Sequence, residues 1–166
     1  TFDERNLTKE TLKIDGDICV DKVLGSAILF KKKDIEKLNF LDENFFIYFE
    51  DDDLCKKAKN EGMSVIQVFN AKAKHLHGQS KVKNILKRTF LRNYHFTHDQ
   101  LYYYHKIGQQ EKYLTLKKKL KNYFLKMIFN FLILNLSKGV YYFSFIKAFF
   151  DFNKLVKKIS KKIKQK

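Results

Sequence analysis

Four consecutive acids, Glu50, Asp51, Asp52 and Asp53, follow the apolar run Phe45-Phe46-Ile47-Tyr48-Phe49 in a chain of formal net charge +16. Carboxylates so placed do one of two things. They start a helix, where the free amides and dipole of the first turn stabilise each by roughly 0.3–1 kcal/mol. Or they do chemistry, because adjacent carboxylates raise one another's proton affinity and neighbouring aromatics strip water from them, which is how general bases arise. A helix start accounts for one or two acids and poorly for four. A calcium loop does not fit, since its acid spacing and glycine are absent. His75 and His77 are the other candidates. A lone histidine is more often structural, but either could ligate a metal with groups from elsewhere in the fold.

Other elements must hold these groups. The acids and the following Leu-Cys-Lys-Lys-Ala-Lys predict a helix ended by Gly62 at its C′ position. A short helix and a further helical turn are expected ahead of it, the turn capped by Asp42 or Asn44. Residues 18–30 read as a strand interrupted at Gly25-Ser26, 63–69 as a strand, and 71–80 as a short strand entering a loop. The first half is therefore expected to be mixed α/β. From residue 81 the pattern is helical, with Gly108 and Gly139 as the expected breaks. Within 116–138, Lys119, Asn122, Lys126 and Asn130 form one stripe, and Phe124, Met127, Phe131 and Leu134 face the other way. The apolar run at 123–136 is too short and interrupted for a membrane span.

Composition bounds the class. The chain has 166 residues, 45% hydrophobic and 16% aromatic, with no proline or tryptophan, which suits one cored domain, rules out a Pro-rich or low-complexity chain and argues against disorder. Cys19 and Cys55 form no CxxC pair, so neither a disulfide framework nor a zinc site is expected, and a reduced compartment is. Charge divides the chain. Residues 1–80 hold 13 Lys and Arg against 15 acids, and residues 81–166 hold 21 against 3, a net of +18.

Val20-Asp21, Gly25-Ser26, Leu41-Asp42-Glu43, Phe45-Phe46, Tyr48, Glu50-Asp51, Asp53-Leu54-Cys55, Gly62, His75, Gly78 and Ser80 stand in one order over about 60 residues. In that order and spacing they resemble the second half of the family 2 glycosyltransferase domain, in its rhamnosyltransferase-like branch. Leu41, Asn39, Asn70 and Lys56 depart from the residues usual there. The resemblance implies an α/β fold, an incomplete GT-A domain: its acceptor-side half over residues 1–80, then a mostly helical extension over 81–166. It implies transfer of a sugar from a nucleotide-sugar donor to an acceptor hydroxyl with inversion, in cell-surface polysaccharide or glycan synthesis. Asp51 matches the general base and Glu50 the residue that holds or tunes it. Gly25 and Ser26 match a turn that lets backbone approach the sugars, and Asp42, Phe46 and Tyr48 fall on the acceptor side. His75 matches a position of metal ligation near the diphosphate. The implied divalent metal, Mg2+ or Mn2+, is held largely by an Asp-x-Asp motif of the donor half. That half has no counterpart here: Asp15-Gly16-Asp17 has the letters but no apolar strand leading into it. With Thr1 first, the chain is read as truncated and inactive alone.

The basic second half would suit nucleic acid by charge alone. Its aromatics, however, sit among Leu, Ile and Met on helical faces, and no RNA-binding motif is present. A basic amphipathic surface on an anionic inner leaflet fits better. Residues 88–108 resemble the post-catalytic segment of the same transferases, whose acceptors include lipid-linked ones. The expected partners are a nucleotide-sugar donor, a glycan or lipid-linked acceptor and an anionic membrane surface, with no nucleic acid. The expected location is cytoplasmic, peripheral on the inner face of the cell membrane. The alternative is a non-enzymatic basic helical protein that binds membrane or RNA and whose acids only start a helix.

Overall fold

A computed structural model describes residues 16–74 and 82–164. Its strand-forming residues find only each other. β1 (Ile18–Cys19) pairs antiparallel with β2 (Ile66–Gln67), Ile18 opposite Gln67 and Cys19 opposite Ile66. No further strand joins them among the described residues. The α/β expectation, and with it the GT-A half-domain, is therefore overturned: among the described residues, five helices and one short ribbon make a small helical protein. The reason is pairing. A two-strand ribbon is marginal by itself, so the apolar residues between 20 and 30 have no ladder to join and run as irregular chain.

Two small helices follow the expected plan more closely. α1 (Lys32–Lys37) buries Ile35, and Leu38 behind it, against Leu54 and Ala58 of α2 (Glu50–Asn60). At the end of α2, Gly62 adopts φ +71°, Gly62 N donates to Lys59 O and Met63 N donates to Ala58 O. This is a Schellman ending with glycine at the left-handed position, as the sequence predicts. The helical turn expected at 42–44 is a tight turn instead, with Phe45 N donating to Asp42 O and Asn44 N to Asp42 Oδ1.

Three long helices make the second half: α3 (Ile85–Lys106), α4 (Gln110–Leu132) and α5 (Leu136–Lys164). Asn84 caps α3 by accepting from Lys87 N at 2.9 Å. The core gathers Leu101 and Tyr102 of α3, Leu116 of α4, and Phe145, Phe149 and Phe152 of α5. No helix among the described residues is long and apolar enough to cross a membrane.

Gly108 breaks the chain as expected, at φ +72° in a second Schellman ending. Gly139 does not break it. It lies inside α5, where a Cβ would stand 2.7 Å from the Phe131 ring, so its lack of a side chain lets the α4–α5 turn close. The break falls at 133–135, again as a Schellman ending, with Asn135 N donating to Asn130 O and Leu134 N to Phe131 O. Here the left-handed residue is Leu134, at φ +58°. A side chain in that conformation costs about 1–2 kcal/mol relative to glycine.

What joins the two halves is Asp99. Its side chain is wholly buried, and its Oδ2 accepts from the backbone amides of Phe46, Ile47 and Tyr48, each at 3.2 Å. His98 Nδ1 lies 3.2 Å from Oδ1. Phe45, next in the chain, enters the helical core edge-on to Tyr102 at 4.9 Å. Asp99→Ala removes the acceptor of three amides and should cost about 3–5 kcal/mol in urea denaturation, whereas Asp99→Asn, which keeps an accepting oxygen, should cost about 1–3 kcal/mol. An alanine variant as stable as the wild type would contradict the anchor.

Candidate active site

The four acids occupy the first turn of α2, which no side chain caps; Phe49 precedes it at φ +68°. Each acid meets something different. Asp51 Oδ2 accepts from the Gly25 amide at 2.7 Å, and its Oδ1 from Asp52 N at 2.8 Å. A Cβ on Gly25 would sit 3.4 Å from the Asp51 side chain, ordinary contact that leaves the backbone flush against the carboxylate. Asp52 pairs with Lys22 at 2.8 Å. Asp53 is buried and bound by Lys106 Nζ at 2.8 Å, with Lys57 a turn away at 3.7 Å.

Glu50 has no such relief. Its Oε2 is buried and takes no hydrogen bond among the described residues. Burial first, then the charges of Asp51, Asp99 and Asp52, push its carboxyl above the usual range, against one bond from its own amide. A desolvated, crowded carboxylate beside an orienting backbone is the arrangement that general acid–base chemistry uses.

The remaining sequence candidates separate. Gly25 meets the acids, while Ser26 beside it is exposed. Asp42, expected on the acceptor side, is committed to structure: its Oδ2 accepts from Tyr102 Oη at 2.9 Å and Lys106 Nζ at 2.7 Å. Burial opposes its ionisation, but Lys106, Asn44 and Tyr102 outweigh burial and hold the carboxyl well below the ordinary range. Lys106 responds in kind. Burial lowers its affinity for the proton, and Asp42 and Asp53 more than restore it. Phe46 is mostly exposed and stacks on His95 at 4.1 Å, and Tyr48 lies edge-on to Phe96 at 5.3 Å. His75 lies outside the described residues.

α3 supplies the residues that sequence reasoning missed. His95, Asp99, Tyr102 and Lys106 recur at helical spacing on the face turned to the acid loop. One signal was available: only three acids occur after residue 80, and Asp99 stands alone among aromatics and histidines.

A shallow depression of about 240 Å³ opens beside the acids, lined by Asp21, Lys22, Asp52, Lys56, Lys59 and Tyr103. It reaches Asp52 but neither Asp51 nor Glu50. Burial, then the charges of Asp52 and Asp53, push the Tyr103 hydroxyl up to about 12, so it remains a donor there at neutral pH. Among the described residues no three His, Cys, Asp or Glu side chains gather into a metal-holding group. Comparison with protein-family models, with curated proteins and with solved structures finds no match to this chain.

Glu50 gives a pH test. A group whose folded pKa is raised favours folding only while protonated. The wild type should therefore lose stability as pH rises from the unfolded glutamate value of about 4.3 through the folded one. Glu50→Gln lacks that loss, so its Tm should exceed the wild type's at pH 7 and match it below about pH 4. Equal Tm values at both pH values would put this carboxylate in water.

Proposed function

We propose that residues around the first turn of α2 carry the acceptor side of a sugar-transfer reaction. Asp51 is the general base in this reading. Its carboxylate removes the proton of an acceptor hydroxyl as that oxygen forms a bond to the anomeric carbon of a nucleotide sugar and the nucleoside diphosphate leaves from the opposite face, inverting the centre. Glu50 beside it tunes its charge. The divalent metal, Mg2+ or Mn2+, belongs to the donor side and takes no ligand from α2. The reading includes a peripheral position on the inner face of the cell membrane, supported by the net charge of +18 after residue 80.

The observation that carries it is the 2.7 Å bond from the Gly25 amide to Asp51 Oδ2. It joins two segments 26 residues apart that the motif order assigns to one site, and it orients one carboxylate oxygen while the other accepts from the Asp52 amide. A second reading has its own observation. Asp52 and Asp53 are each paired with lysine, as acids with purely structural work would be.

Asp51→Asn separates the two. In the protein as encoded, supplied with a panel of nucleotide sugars, release of nucleoside diphosphate with acceptor should fall by about 10²–10⁴, with Tm little changed. Transfer at the wild-type rate would leave the structural reading standing.

A further inference from the structure

The end of the α4–α5 hairpin is apolar, exposed and nearly uncharged. Leu132 is 77% exposed, Leu134 80% and Phe129 60%, with Leu125, Ile133 and Leu136 also open to solvent. From Met127 to Ile146, twenty residues carry a single charge, Lys138. Behind this cap the lysines begin, at Lys126 on α4 and Lys147 on α5, with Lys117, Lys118, Lys119 and Lys121 further up. At 1.5 Å per residue Lys126 and Lys147 stand about 9 and 16 Å behind the turn, with Lys138 the single charge nearer to it, a spacing suited to a segment entering the boundary between headgroups and acyl chains.

The turn residue points the same way. Four helices among the described residues end in the same hydrogen-bonded form; two place glycine at the left-handed position and one places Asn39, a residue type that also visits it. The fourth places Leu134 there, in a strained conformation and with its side chain in water. Folding gains nothing from leucine at that position. A side chain that leaves water when the protein meets its partner does gain, and strain held in this way accompanies function.

We infer that the tip of the α4–α5 hairpin, Phe129 to Leu136, enters an anionic lipid surface while the lysines behind it engage the headgroups. This rests on the peripheral placement proposed above and assigns the element responsible for it. A second copy is a poorer occupant, since two tips meeting would bring two lysine collars together. RNA is poorer still, because the turn offers aliphatic side chains rather than stacking faces.

The chain has no tryptophan, so one placed by substitution reports its own surroundings. With vesicles of phosphatidylcholine and phosphatidylglycerol, Leu132→Trp should shift its emission to the blue and be quenched by brominated acyl chains. Leu114→Trp, near the opposite end of α4, should do neither. Leu134→Gly relieves the turn, so its Tm should equal or exceed the wild type's, yet its partition onto these vesicles should fall about tenfold. Wild-type binding with an unshifted Leu132→Trp, or full binding by Leu134→Gly, overturns the tip and leaves peripheral binding intact. No binding to anionic vesicles overturns both. A lipid-free dimer that buries Leu132→Trp assigns the tip to self-association and overturns the inference.

Discussion

A buried carboxylate that binds backbone rather than a cation organises this molecule. Asp99 lies in the middle of α3 with its side chain wholly out of water, and one of its oxygens accepts three successive amides. An ion in such a place is tolerable only when several donors face it. The loop gains as much as the ion does. Residues 46–48 have no helix or ladder to satisfy their amides, and Asp99 supplies the missing acceptor. Once the loop is held, Phe45 is set into the core on one side and the chain is delivered into the first turn of α2 on the other.

The four acids are consequently four different groups. Asp53 and Asp42 share Lys106 and close a second clamp between the acid loop and α3. Asp52 reaches outward to Lys22. Asp51 is oriented by the Gly25 backbone. Glu50 is crowded and bonded by its own amide, with its other oxygen buried away from any donor among the described residues. A fold selected for stability alone would place glutamine or a small apolar residue there. The cost is concentrated beside the one carboxylate whose surroundings orient it without neutralising it. That pattern is the support for the role proposed for Asp51.

Much of the local structure was legible in the sequence, and the reasons are physical. The ends of α2 follow from clustered acids and Gly62, because both act within one turn. The helical second half follows from its period. Tertiary pairing was not legible. Residues 18–30 and 63–69 have strand composition, but a strand exists only if another lies beside it, and two residues of each found a partner. Gly139 was read as a break because glycine usually interrupts a helix, yet here it makes room for Phe131. The true break at Leu134 was hidden because nothing local selects leucine for a left-handed turn. Asp99 was missed since its partners are backbone amides some 50 residues earlier, which carry no residue-type signal.

The anchoring of the acid loop can be read directly from amide hydrogen exchange. If Asp99 holds the loop, the amides of Phe46, Ile47 and Tyr48 should exchange only through the opening that exposes the α3 core, with protection matching that of the Leu101 amide and lost together with it in urea. Exchange of these three amides at the rate of an open loop, while Leu101 remains protected, would contradict the account at its centre.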